Sequence, residues 1–348
     1  MECWRNCFDS SKVPKHRVEL HVHLDGAARP ETLWELAQSK GIDLGNSLED
    51  FRSACITKQP LDLCNFLAPF GLFLPVIAGD AKALERIAFE FCEDAALQHV
   101  LYTEARYSPH LLSSSTLSPR QVVESINRGL EEGATRFGVT VRTLLCCIRG
   151  KSGWSKEIVQ LCDQFRDKGV VGIDIAGDTE AVVDSSKEDV EAFQLARELG
   201  IHRTVHAGED GPADQVRFAL NHLHAERIGH AYHLVDDEAL YQQCLKLDLH
   251  FETCPISSFL TGSATNKYKK HPIARFAEDG ANFSVSRDDP TLIQKGLHED
   301  YALLKEMGLT DMHLVRANFN AARSSFLPEN EKKLLLQELA RAYGVPLL

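Results

Sequence analysis

One recurring unit constrains this chain more than anything else in it. A short run rich in β-branched, aliphatic or aromatic residues ends in polar or small ones, and a longer stretch with helical patterning follows. That alternation marks a parallel α/β fold, because parallel strands need a crossover of a dozen or more residues, commonly a helix. Eight runs qualify, at 18–24, 100–106, 139–148, 170–176, 202–207, 227–229, 249–253 and 282–286. Eight strands close a (β/α)8 barrel. An open doubly wound sheet would ordinarily carry a glycine-rich phosphate loop after its first strand, and Asp25-Gly26-Ala27-Ala28 is not one. The expected fold class is α/β, a (β/α)8 TIM-type barrel.

The intervals support helices. Pro30-Glu31-Thr32-Leu33 puts a proline in a first helical turn, and Gly41 is placed to end that helix. Residues 48–99 are too many for one crossover, so additional helices are expected between strands 1 and 2, with more at the C-terminus over 292–348. No repeat, low-complexity tract or linker divides the sequence, so residues 1–348 read as a single domain. A hydrophobic content of 44% with 25% charged residues is that of a folded protein. The net charge of -12, relieved only by Lys267-Tyr268-Lys269-Lys270, lacks the basic stripe that nucleic acid requires, so the expected partner is a small molecule.

No apolar run is long enough to span a bilayer, and Met1-Glu2-Cys3-Trp4-Arg5-Asn6-Cys7 lacks the apolar segment of a secretory signal. The expected location is cytoplasmic, with a non-classical extracellular or cell-surface pool left open. Among ten cysteines, Cys92, Cys146, Cys147 and Cys162 sit in apolar stretches and read as buried thiols. The Cys3/Cys7 pair lacks the second half of a zinc knuckle.

The residues able to do chemistry lie at or just past the C-terminal ends of the predicted strands, where barrel enzymes build their sites. In 18–25, strand alternation sends His21 and His23 to one face and Leu20, Val22 and Leu24 to the other. Alone, such a pair specifies no metal. Thr204-Val205-His206-Ala207-Gly208-Glu209 adds a third histidine, and Ser286-Arg287-Asp288-Asp289-Pro290 adds a carboxylate pair. Three histidines and Asp288 leave a position for water on a five-coordinate zinc. Glu209 could move a proton between that water and a ring nitrogen, and His230 could hold or help deprotonate the water. Gly177 ends the fourth strand, where an absent side chain would let a backbone N–H approach a planar ligand. Arg287 alternates away from Asp288, so its side chain is expected to leave the lumen and carry its charge to the surface over apolar neighbours.

Seven segments, His21-Val22-His23-Leu24-Asp25-Gly26-Ala27, Arg106-Tyr107-Ser108-Pro109-His110, Asp174-Ile175-Ala176-Gly177-Asp178, His202-Arg203-Thr204-Val205-His206-Ala207-Gly208-Glu209, Arg227-Ile228-Gly229-His230, Cys254-Pro255-Ile256-Ser257-Ser258 and Asp288-Asp289-Pro290, follow one another in order. Together they resemble the adenosine deaminase family, within the amidohydrolase superfamily, over about residues 15–344. The resemblance implies one zinc ion per chain on His21, His23, His206 and Asp288. It implies that Glu209 protonates the purine, that His230 and Asp289 position the water, and that Gly177 and Asp289 hydrogen-bond the purine. His23 and Asp25 would contact substrate, Asp25 at the ribose 5′-hydroxyl, while Phe66, Leu67 and Phe70 form a hydrophobic wall. The implied activity is hydrolytic deamination of adenosine and 2′-deoxyadenosine to inosine and 2′-deoxyinosine with release of ammonia, in purine salvage and catabolism, by a monomer.

Four positions depart from the family pattern. Ser286-Arg287 stands where Asn-Thr is usual, Ala231 where glycine often follows the histidine, and Ile256 where a larger or polar residue is common. None removes an implied ligand. The nearest alternatives act on adenine, on an N6-modified nucleotide or on another aminated purine, and the Asp25 carboxylate opposes a 5′-phosphate. A binding protein without turnover is disfavoured by four ligands plus Glu209.

Overall fold

In a computed structural model describing residues 16–177, 186–264 and 270–346, the eight expected runs are strands. Cys3, Cys7, Asp178, Lys267, Tyr268 and Lys269 lie outside the described residues. The strands are β1 (Arg17–His23), β2 (Val100–Tyr107), β3 (Thr140–Ile148), β4 (Val170–Ala176), β5 (His202–Ala207), β6 (Arg227–His230), β7 (His250–Thr253) and β8 (Phe283–Val285). They pair in sequence order, every neighbour parallel. β8 returns to β1 through an isolated parallel bridge between Val22 and Asp288. There His23 N donates to the Asp288 carbonyl (2.8 Å) and Asp288 N to the His21 carbonyl (3.1 Å). The barrel therefore closes on the His-x-His segment itself.

The long interval between β1 and β2 folds as expected into extra helices: α1 (Pro30–Lys40), α2 (Leu48–Cys55), α3 (Leu63–Leu67), α4 (Phe70–Ile77) and α5 (Ala81–Leu97). Pro30 sits in the first turn of α1, and Gly41 caps its end at φ +66, where glycine adopts a left-handed conformation without strain. Ser47, Asp62 and Asp80 accept backbone N–H bonds at the starts of α2, α3 and α5, which satisfies donors that a helix leaves unpaired. After β8, helices Pro290–Ile293, Leu297–Glu306, Asp311–Ser324 and Glu329–Tyr343 pack the barrel shut, with Val18 and Leu20 buried against Phe319 and Leu339. Cys92, Cys146, Cys147 and Cys162 are buried free thiols, whereas Cys64 is exposed. Among the described residues, no helix is long and apolar enough to cross a membrane.

Beneath the C-terminal face the lumen holds paired charged side chains. Arg106 bonds Asp174 (2.8 Å) and Glu252 (2.6 Å), and Arg227 bonds Glu252 (2.8 Å) and Glu104 (2.6 Å), all essentially without solvent exposure. Each cation lies between two carboxylates, the arrangement that makes buried charge tolerable.

Arg287 corrects an expectation. It does stay off the residues that line the cavity described below, but its charge is not at the surface. The side chain is 5% exposed, and its Nε and Nη2 donate to the two Glu19 oxygens at 2.9 and 2.7 Å. Its backbone N–H donates to the same carboxylate at 3.0 Å. The cause is Glu19, itself fully buried on β1, whose carboxylate a planar guanidinium matches with two bonds.

Candidate active site

At the C-terminal mouth of the barrel, His23, Asp25, Gly177, His206, Glu209, His230, Asp288 and Asp289 line one cavity, and Phe66, Leu67 and Phe70 wall its other side. His21 is fully buried beside it. One donor atom each from His21, His206, His230 and Asp288 lies within 4.8 Å of the others. His23 Nε2 stands 3.3 Å from His206 Nε2 and 3.4 Å from Asp288 Oδ1, so it joins the same cluster. His230, expected at the water, is thus as close to the centre as the expected ligands.

Groups that the sequence reading had not given a role orient these donors. His21 Nδ1 bonds Glu252 Oε2 at 2.8 Å, and His206 Nδ1 lies 2.9 Å from Asp174 Oδ2. Arg106 ties the two acids together. Ser257, in helix Pro255–Leu260, donates to Asp288 Oδ2 at 2.6 Å and leaves Oδ1 to the histidines. Such carboxylate–histidine pairs fix the tautomer and aim Nε2 inward. The signal was present in sequence as charged residues inside predicted barrel strands, Arg106 in β2 and Glu252 in β7.

These atoms fit a divalent cation. His21 Nε2 is buried with no hydrogen-bond partner and faces Asp288 Oδ1 at 3.3 Å. With Nδ1 donating to Glu252, a neutral His21 turns a lone pair toward that carboxylate, which requires a proton or cation between them. Burial and Arg106 pull the His21 pKa down, but the Asp288 and Glu252 carboxylates beside it outweigh them and hold it above the usual value. Burial, before any charge, keeps His23, His206 and His230 below the usual histidine range, so these imidazoles are neutral near pH 7. A nitrogen-rich set with one carboxylate oxygen suits zinc.

Three residues of the site have strained backbone. Asp288, His230 and Ala231 have φ of +64, +69 and +59, a region in which a Cβ is crowded. The last explains why glycine is common where Ala231 stands. Gly26 is required for space: a Cβ there would lie 1.9 Å from Asp289 Oδ1. Gly177 is required for conformation, with φ +101 and nothing nearer than 3.6 Å to an added Cβ.

Glu209 Oε2 lies 3.5 Å from His230 Nε2. Burial first, then the charges of Asp288, Asp25 and Glu209, push the Asp289 carboxyl well above the usual range, and its Oδ1 has no hydrogen-bond partner. Asp25 accepts from Ser108 N (3.2 Å), and burial pushes it up to about 6. Cys146 and Ile148 of β3 complete the apolar lining, a contribution the sequence reading did not include.

With this geometry in hand, comparison with known proteins is decisive. Residues 14–342 match the family model for adenosine deaminase. An adenosine deaminase from Rattus norvegicus is 47% identical over 345 residues, covering 94% of this chain and 97% of that one. The chain belongs to the adenosine deaminase family. Solved structures agree in fold with this family member. An adenine deaminase from Arthrobacter aurescens superposes with a TM-score of 0.83 at 25% identity, covering 93% of this chain and 98% of the other. An Arabidopsis N6-mAMP deaminase superposes with a TM-score of 0.81 at 26% identity, covering 98% of this chain and 100% of the other.

Proposed function

We propose that this chain hydrolyses adenosine and 2′-deoxyadenosine to inosine and 2′-deoxyinosine, releasing ammonia, with one zinc ion per chain held by His21, His23, His206 and Asp288. The observation that carries the reading is the convergence of imidazole nitrogens and one carboxylate oxygen at an apolar-walled cavity, with Glu209 beside them. Zinc, when bound, acts as a Lewis acid that makes water a competent nucleophile near neutral pH.

The chain's own residues do the rest. Glu209 gives a proton to ring nitrogen N1, which makes C6 electrophilic. His230 and Asp289 hold the water against C6. As water adds and the C6–N bond breaks, one water proton replaces the one Glu209 gave and the other leaves on ammonia. The Gly177 N–H holds the purine, Asp25 takes the ribose 5′-hydroxyl, and Phe66, Leu67 and Phe70 exclude bulk solvent.

A second reading comes from the two solved structures, whose names give adenine and N6-mAMP as substrates. Asp25 favours the nucleoside over the nucleotide, since its carboxylate is largely ionised at neutral pH and would repel a 5′-phosphate. The test uses metal-quantified protein and compares ammonia release from adenosine, 2′-deoxyadenosine and adenine with methylamine release from N6-methyl-AMP. We expect kcat/KM for the nucleosides to exceed the others by at least about tenfold, roughly 1.4 kcal/mol. The reverse order rejects the nucleoside reading.

A further inference from the structure

The barrel's backbone ladder stops furthest short of the site between β4 and β5. Pairing there consists of Gly172↔His202 and Ile173↔Arg203 alone. By contrast, β3–β4 continues to Ile148↔Ala176 and β5–β6 to Ala207↔His230. The residues above the gap are the ones the proposed reaction uses, with Gly177 on one lip and His206, followed by Glu209, on the other.

Two side chains bridge the lips where the ladder is missing. Asp174 reaches from β4 to the His206 imidazole at 2.9 Å. Arg149, the residue after β3, donates from Nη1 to the Gly177 carbonyl at 3.4 Å and from Nη2 to the His206 carbonyl. Its own N–H donates to the Ala176 carbonyl at 3.0 Å, so the base of the bridge is fixed too. Gly177, at φ +101, has no side chain to pack, and among the described residues Arg149 ties its carbonyl to the β5 side.

We propose that Arg149 is a positioning residue for purine binding: its guanidinium replaces the missing β4–β5 hydrogen bonds and sets the distance between Gly177 and the His206–Glu209 segment. A planar guanidinium presents several N–H donors in a rigid fork and stays protonated, so it can hold two carbonyls at a fixed spacing. A lysine ammonium at the same site is a flexible point donor and keeps that spacing poorly. Displacements of about 1 Å in groups that orient a substrate can lower rates by about a hundredfold. The inference rests on the proposed function, because Gly177 matters only where a purine is held.

The test compares wild type, Arg149→Met and Arg149→Lys at matched, measured zinc content. Steady-state kinetics with adenosine are read beside the calorimetric Kd of inosine, which needs no turnover. Arg149→Met should raise both KM and the inosine Kd by at least about tenfold, with a smaller fall in kcat, because Gly177 loses its tether while Asp174 still holds the His206 ring. Zinc content should not change. Arg149→Lys should fall between, at least about threefold above wild type, and it carries the test alone if the methionine variant does not fold. A lower Tm with unchanged KM and Kd in the folded fraction would show a merely structural arginine and overturn the proposal. Zinc loss with an unchanged inosine Kd would overturn it as well. Wild type that neither deaminates adenosine nor binds inosine would sink the functional reading and this inference together, whereas active wild type beside unaltered variants overturns this inference alone.

Discussion

Replacing Arg287 by methionine leaves Glu19 fully buried and without the guanidinium that takes both of its oxygens at 2.9 and 2.7 Å. Asp94 adds negative charge around the same spot, and Arg17 is a cation that remains near Glu19 but takes neither of its oxygens in the way Arg287 does. Breaking a buried pair from one side costs about 3–5 kcal/mol, much of it from the stranded charge. At about 2.1 cal/mol/K of unfolding entropy per residue, 348 residues convert that into a Tm lower by roughly 4–7 °C. Adding Glu19→Gln removes the stranded charge, so the double variant should recover about half of the loss or more. Thermal unfolding of the complete double-mutant cycle, with metal matched across it, measures the coupling. Activity should hardly move: Arg287 does not line the cavity, and kcat/KM of folded protein should stay within about threefold, under roughly 1 kcal/mol. An Arg287→Met protein melting within about 1 °C of wild type, or a double variant no better than the single, would refute the buried-pair argument. A hundredfold loss of activity in a stable variant would instead put residue 287 in the active site.

Three further outcomes are expected. His21→Ala and Asp288→Ala should each lose zinc on dialysis against a weak chelator, and stoichiometric metal in both would defeat the ligand assignment. Ser257→Ala should weaken zinc binding by about 10–100-fold in a chelator competition, because Asp288 loses the bond that aims Oδ1; unchanged affinity would mean that the 2.6 Å contact does not orient the carboxylate. His250, between Asn282 and Ser284, is held by burial down to about 4. As pH falls from about 6.5 to 4, the unfolded chain takes up a proton that the folded state refuses, so stability drops through that window by roughly 3 kcal/mol. His250→Gln should flatten this part of the pH–stability profile, and an identical slope in the two proteins would exclude His250 as its source.

The barrel was legible because its signal is periodic and local: eight apolar runs, a proline that starts α1 and a glycine that ends it. The His-x-His pair was legible for the same reason, since period two alone puts both imidazoles on one face. What escaped was long-range pairing of buried charge. Nothing near Arg287 in sequence points to Glu19, 268 residues away, so the bland expectation of an arginine reaching solvent was the wrong one. Glu252 was missed in the same way, because its partners His21, Arg106 and Arg227 come from three other strands. Charges inside barrel strands were the available clue, and they had to be matched across the lumen to mean anything. Gly177 shows a different limit: its need for glycine lies in a dihedral angle, which composition does not display.

The most direct test of the central claim is the rate of adenosine-to-inosine conversion, followed by ultraviolet absorbance, for wild type and Glu209→Gln carrying equal, measured zinc. The account predicts turnover by wild type and a loss of about a hundredfold to ten-thousandfold in Glu209→Gln, with metal and fold retained, because an amide has no titratable proton to give N1. Near-normal turnover in Glu209→Gln, or none in zinc-loaded wild type, would contradict it.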